Sequence, residues 1–259
     1  MMLTSEPSRT ARVVAAVRLH APRVEASYGD PAAAELVERT VAAGAPLPTS
    51  SMAAYLIART WFFDQLVVDA IERGVRQIVT AAAGYDTRAI RYAHDDMAWF
   101  ELDHPATQTD KRAYLEELDV DVSRIMFVAA DFTVDDVAAR LGVAGCNPDV
   151  PSLVLAEGIA VYLSVRVLAR LLDALRRSVA TGSRLGISMS IEAETAEQQL
   201  RRSAFQQRVA AVGEPARTVL TATDSADLLA AAGWQLDAPL VDPAGAPGRT
   251  GLVTAIAVG

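Results

Sequence analysis

Apolar positions follow two different rhythms along the chain. Up to about residue 75 they recur at helical spacing. Pro7 and Ser8 precede an apolar-periodic run from Ala11 to Leu19, closed by Pro22. Pro31 suits the first turn of a second helix, where its missing N–H goes unnoticed, and the pattern continues through Ala43 to Gly44. After the breakers Pro46 and Pro48, Ser50 or Ser51 is expected to cap a third helix that ends near Glu72, before Gly74. Its large residues, among them Tyr55, Trp61, Phe62 and Leu66, are expected to pack on a core.

From Arg76 short apolar runs alternate with helical ones. Strands are predicted at 77–81, 98–102, 125–129, 152–156 and 183–190. Helices are predicted between them at 86–92, 105–118, 134–141 and 164–179, the last capped by Ser164. Such alternation implies parallel strands with helical crossovers, and continuously apolar strands imply a sheet covered on both faces. A polar stretch, 192–218, reads as a helical, lid-like excursion. A helix at 224–232 and strands at 234–236 and 252–258 follow, the strands separated by a proline- and glycine-rich loop, 237–251, long enough for a hairpin. The last strand is therefore expected to run antiparallel. The whole predicts an α/β fold: a doubly wound, mostly parallel seven-stranded sheet. An N-terminal helical cap (1–75) and a core (76–259) carrying the lid are expected to form one compact unit.

Composition narrows the function. The 259 residues carry 24 Lys+Arg against 32 Asp+Glu, a net charge of −8, which argues against nucleic acid as partner. The single cysteine, Cys146, permits no intramolecular disulfide and no cysteine-rich zinc site, so no metal is expected. No apolar run approaches 18 residues, and the first residues, Met1 to Glu6, lack the pattern of a signal peptide. A cytoplasmic protein without a membrane partner is the expectation.

The chemistry lies at the predicted strand ends. The first strand runs into Ala82-Ala83-Gly84, where small residues let a ligand approach the backbone, but a GxGxxG phosphate fingerprint is absent. The second ends at Asp103, 19 residues beyond Gly84, a spacing that suits a carboxylate accepting from ribose hydroxyls. The third ends at Asp131-Phe132, an acceptor for an adenine amino group beside an apolar contact for the base. The fourth delivers Glu157-Gly158 to the same crevice, with Tyr162 close behind. A ribose carboxylate and an adenine-side aspartate without a phosphate cradle point to a nucleoside ligand lacking phosphates. S-adenosylmethionine fits best, and the predicted sheet is of the class I methyltransferase type.

The chain resembles the leucine carboxyl methyltransferase family, in its bacterial branch of S-adenosylmethionine-dependent methyltransferases. The resemblance rests on Ala58-Arg59-Thr60-Trp61-Phe62-Phe63-Asp64, Gly84-Tyr85-Asp86-Thr87-Arg88, Glu101-Leu102-Asp103-His104-Pro105 with Lys111-Arg112, Asp131-Phe132, and Leu155-Ala156-Glu157-Gly158 through Tyr162-Leu163. It implies that Arg59 binds the cofactor's methionine carboxylate and that Ala82, Ala83 and Gly84 lie against its methionine part. It further implies that Asp103 binds the ribose, Asp131 and Phe132 bracket adenine, and Glu157 sits near the amino-acid end. The family usually has Gly-Ala-Gly where Ala82-Ala83-Gly84 stands, and often a second arginine in place of Trp61, which could alter the substrate pocket. The expected activity is O-methylation of a small molecule, most readily a carboxylate of a secondary metabolite. Alternatives are a hydroxyl or phenol acceptor, or a repurposed member that binds cofactor or metabolite without methyl transfer. Substrate-side candidates are Arg88, Tyr28, Tyr162 and His104, with His20 and the lid's Arg201 and Arg202 behind them.

Overall fold

The computed structural model describes residues 7–46, 48–193, 195–211, 215–238 and 249–259. Three helices come first: α1 (Arg9–Arg18), α2 (Pro31–Val41) and α3 (Ser50–Glu72). Ser8 and Asp30 cap the first two, accepting from the N–H groups of Ala11 at 3.2 Å and Ala33 at 2.8 Å. The third begins one or two residues before its expected start: Thr49 is its N-cap residue, and Ser50 and Ser51, the expected caps, lie inside it. Strands and helices then alternate: β1 (Gln77–Ala81), α4 (Arg88–Arg91), β2 (Ala98–Asp103), α5 (Pro105–Glu117), β3 (Ile125–Ala129), α6 (Val137–Val143), β4 (Ser152–Ala156), α7 (Val165–Arg177) and β5 (Arg184–Ile191). A 3₁₀ turn, Ala160–Tyr162, links β4 to α7, whose N-cap is Ser164. The lid helix α8 (Ala196–Ala211), then α9 (Ala222–Ala231), β6 (Trp234–Leu236) and β7 (Arg249–Ala257) complete the order. Most of the expected loop 237–251 lies outside the described residues.

The seven strands form one sheet in the order β3-β2-β1-β4-β5-β7-β6. The first five pair in parallel, and β7 runs antiparallel to both β5 and β6. The chain order reverses between β1 and β4, so the carboxyl ends of these central strands flank the crevice where doubly wound sheets bind ligands.

Period-two alternation divides each strand between two cores. Val79, Phe100, Val154 and Ile187 face α6, α7 and α9, meeting Leu141, Leu172 and Leu229. Ile78, Trp99, Leu153 and Leu155 face the N-terminal helices, meeting Phe63, Val67 and Val37. Helix α3 lies so close to β5 that a Cβ added to Gly186 would stand 2.5 Å from Leu66 Cδ1. Gly186→Val is therefore expected to cost about 1–3 kcal/mol through overpacking, read as a lower urea midpoint with an unchanged slope.

Candidate functional site

The turn after β1 shapes the floor of the site. Ala82 has φ 57° and Gly84 φ 52°, both in the left-handed region. Glycine accepts this freely, whereas the Cβ of Ala82 costs roughly 1–2 kcal/mol. Asp103, at the end of β2, fixes the turn by accepting from the Gly84 N–H, and its other oxygen accepts from the His104 N–H at 2.6 Å. Each oxygen retains a further lone pair. Burial raises the Asp103 pKa, and these two N–H groups offset part of the rise.

Beside this turn Glu157, at the end of β4, receives three guanidinium groups. Arg18 of α1 donates at 2.8 Å, Arg59 of α3 at 2.9 Å and Arg88 of α4 at 2.7 Å. Gly158, with φ 72°, makes room for Arg59, whose Nη1 would stand 3.1 Å from an added Cβ. Arg59 also lies 5.4 Å from the Tyr55 ring centroid. The cluster extends away from the crevice. Arg88 bonds Asp64 at 2.6 Å and Asp86 at 2.5 Å, while Arg23 bonds Asp64 at 2.6 Å and Glu38 at 2.7 Å. Arg91 approaches Glu38 at 3.8 Å. Arginines 18, 23, 59, 88 and 91 thus face Glu38, Asp64, Asp86 and Glu157, one cation in excess. Burial pushes the Glu157 pKa upward, but Arg18, Arg88 and Arg59 outweigh it and hold the carboxyl well below its ordinary range. In the same way Arg88 and Arg23 outweigh burial at Asp64, and Arg18 and Arg88 outweigh it at Asp86.

A cavity of 670 Å³ opens over these strand ends, roofed by α1, α3 and α8. That volume falls within the ~300–1,000 Å³ that receives a drug-sized ligand. The expected residues Arg59, Ala82, Ala83, Gly84, Asp103, Phe132, Glu157, His104 and Tyr162 all line it.

Other expectations end elsewhere. Asp131 lies outside the lining: its Oδ1 accepts from the Thr133 N–H at 2.8 Å and hydroxyl at 2.6 Å, closing a turn. Arg88 is sequestered by its three carboxylates and the Thr60 carbonyl at 3.1 Å, so it has no reach toward an acceptor. Tyr28 borders a separate 240 Å³ cavity with Arg91 and Tyr92, its hydroxyl buried without a partner. Trp61 is 49% exposed and lies outside the main cavity, so it does not shape the substrate pocket. His20 is exposed, Arg201 pairs with Glu197 on the surface of α8, and Arg202 donates to the Ile191 carbonyl. Two lining arginines escaped sequence reasoning, Arg18 and Arg217. Arg18 reads as the basic last turn of an amphipathic helix, and Arg217 falls within the 192–218 stretch expected to be helical, whereas α8 ends at Ala211 and residues 215–219 are not helical.

The family model of leucine carboxyl methyltransferases matches residues 11–176, a span that contains most of α1, all of α3 and the ends of β1 to β4. The chain belongs to the leucine carboxyl methyltransferase family. It is a methyltransferase by family, and the expected cofactor, S-adenosylmethionine, is the one for which its relatives are named. One such relative, a protein of Mycolicibacterium gilvum carrying the name of an S-adenosyl-L-methionine-dependent methyltransferase, is 33% identical over 222 residues, 77% of this chain and 72% of that one. Another of the same name, from Mycobacterium avium, is 37% identical over 144 residues, 55% of this chain and 46% of that one. Among solved structures, magnesium protoporphyrin IX methyltransferase from Synechocystis, with bound S-adenosylhomocysteine, is similar with a TM-score of 0.56 at 12% identity, covering 82% of this chain and 90% of that one. The fold is that of class I methyltransferases. Among the described residues no helix is long and apolar enough to cross a membrane, and no cluster of His, Cys, Asp and Glu is arranged to hold a metal ion.

Two outcomes are expected for this family member. Ala82→Gly removes the left-handed penalty and is expected to add about 0.5–1 kcal/mol of stability after glycine's own entropy cost, read as a higher melting temperature. Glu157→Gln strands three buried arginines and is expected to cost about 3–5 kcal/mol at pH 7. Because the folded pKa values of Glu157, Asp64 and Asp86 lie below the ordinary 4.5 and 3.8, the unfolded chain binds protons first on acidification. The cluster's contribution is complete above about pH 5 and is lost as pH falls through the folded values. The raised groups Glu101 and Asp103 act in the opposite sense and offset part of this loss. Urea titrations between pH 7 and pH 3 should therefore show a shallower pH dependence in Glu157→Gln than in the unaltered protein.

Proposed function

We propose that the protein is an S-adenosylmethionine-dependent O-methyltransferase that esterifies the carboxylate of a small molecule, of the kind made in secondary metabolism. One observation carries the choice of acceptor: Glu157, Asp103 and His104, the acidic and imidazole side chains of the described cavity lining, each already serve groups of the protein. Glu157 is held ionised by three arginines, and Asp103 already serves two backbone amides. His104 is the N-cap residue of α5, with Nδ1 accepting from the Ala106 N–H at 3.3 Å. A hydroxyl acceptor would need a general base, whereas a carboxylate arrives as an anion.

The residues present fit the cofactor. The ion cluster has one guanidinium in excess, and Arg18 Nε is buried without a partner, so a carboxylate brought to Arg59 and Arg18 balances the charge. Asp103 retains acceptor capacity for ribose hydroxyls, Phe132 offers an apolar wall to the base, and the Ala82–Gly84 turn admits the methionine chain. Glu157 sets both arginines at the amino-acid end. When bound, S-adenosylmethionine supplies a sulfonium methyl whose C–S bond breaks as the acceptor oxygen–carbon bond forms, yielding a methyl ester and a neutral thioether with no proton to remove. The protein's part is alignment and exclusion of water, which the roof of α1, α3 and α8 provides. We place this activity in the cytoplasm, where the buried Cys146 thiol stays reduced.

Calorimetry with S-adenosylhomocysteine should give near-micromolar affinity, about −8 kcal/mol. Asp103→Ala is expected to weaken it by about 1–3 kcal/mol, as ribose hydroxyls lose their acceptor; unchanged affinity would remove Asp103 from the ribose. Radiolabelled methyl transferred by the enzyme should be released by mild alkali, as esters are. Alkali-stable label would instead mark a hydroxyl acceptor.

A further inference from the structure

The lid helix α8 is polar along most of its length, and its larger apolar side chains are Leu200, Phe205 and Val209. Leu200 is 72% exposed. Phe205 and Val209, four residues apart and so on one face of the helix, line the main cavity. Phe205 is half-buried and Val209 is buried, yet among the described residues neither belongs to an apolar cluster of the protein. Among the same residues no helix or strand packs extensively along α8. Most of a helix's stability within a protein comes from packing its apolar face. That face of α8 borders the cavity.

Two other apolar surfaces border the same space. Val14 of α1 and Met52 of α3 pack on a small cluster around Tyr55, separate from both cores of the sheet. Leu163, just after the 3₁₀ turn, and Met189 of β5 belong to the core on the α7 side of the sheet. Three apolar surfaces of different origin thus converge on one cavity without merging into one core. Protein interiors are close-packed, so atoms that border an unfilled space forfeit dispersion contacts that a ligand of matching character supplies. Burying the ligand's own apolar surface adds to the gain. The same cavity is lined by Gly84, Asp103 and Glu157, so whatever fills its apolar part lies beside the cofactor's expected seat. In a methyltransferase the molecule that must lie beside the cofactor is the methyl acceptor.

We infer that the methyl acceptor carries an apolar body, seated against α1, α3 and the end of β5 and covered by α8, and that Phe205 and Val209 are the specificity-determining residues that select it. The acceptor's body completes the packing of the lid's apolar face. This rests on the small-molecule methylation proposed above, but it concerns the body of the acceptor and not its reacting group.

The test uses the full-length protein, each variant at its own saturating concentration of S-adenosylhomocysteine, so that binding is read without turnover. The probes are 4-phenylbutanamide and butanamide. They differ by the phenyl ring and are both uncharged, so the result does not depend on whether the reacting group is a carboxylate or a hydroxyl. Calorimetry should show the phenyl compound binding at least tenfold more tightly. Phe205→Asn and Val209→Asn should each cut that preference at least threefold, whereas Leu200→Asn, on the same helix but exposed, should leave it unchanged. Tryptic cleavage after Arg201 and Arg202 of α8 should slow with 4-phenylbutanamide and not with butanamide, because the filled cavity gives the lid its packing. Equal affinity for the two compounds in the unaltered protein, including no binding of either, overturns the inference. So does a preference that survives in Phe205→Asn and Val209→Asn, one that falls as far in Leu200→Asn, or cleavage that neither compound slows. Binding of S-adenosylhomocysteine is read first, before either probe is added. Its failure overturns the proposed function and this inference together, whereas the other outcomes overturn this inference alone.

Discussion

Everything at this site depends on the carboxylate of Glu157 and the three arginines that converge on it. A buried carboxylate without partners would shed its charge by taking up a proton. Here Arg18, Arg59 and Arg88 reach it from α1, α3 and α4, so the charge persists and joins three stretches of sequence that lie far apart. Such a cluster is poor evidence for stability, since desolvation consumes most of the Coulombic gain; what it secures is a defined arrangement. Two of the three arginines reach the sheet from the N-terminal helices. The turn at Gly158, with its positive φ, is what allows Arg59 to lie against the strand end.

The charge balance of the cluster gives it a second consequence. Arg88 is occupied on every side by Asp64, Asp86, Glu157 and the Thr60 carbonyl, and acts only to set its neighbours. Arg59 and Arg18 differ because they also border the cavity. The same carboxylate therefore immobilises one arginine completely and holds two others where a ligand can meet them. An arginine's function here follows from how many of its donors the protein has already used, which no motif records.

That distinction explains what was legible in the sequence. The strands were readable because runs such as Ile78-Val79 and Leu153-Val154-Leu155 are buried on both faces, and Pro105, Ser164 and Gly233 punctuate the elements between them. The strand-end residues were readable because the sheet's chirality and order oblige Gly84, Asp103 and Glu157 to meet. Tyr28 and Trp61 misled because side-chain type does not reveal which way a helix or loop presents it. Asp131 shows the competing local pull: a short carboxylate before Thr133 closes a turn with the nearest N–H and hydroxyl. Arg18 and Arg217 were hidden for the opposite reason, since each gains its position only from long-range contacts with strand ends or the 3₁₀ turn.

The apolar character of the remaining cavity then becomes a chemical asset. In the carboxylate methylation proposed above, the acceptor and the sulfonium donor would begin as opposite charges and end as a neutral ester and a neutral thioether. Charge therefore disperses on the way to the transition state. Water stabilises the separated charges more than the dispersed ones, so walls such as Met52, Met189, Phe205 and Val209 favour the reaction by excluding it. A fully apolar pocket would admit the anion reluctantly, and a strongly polar one would solvate it as well as water does.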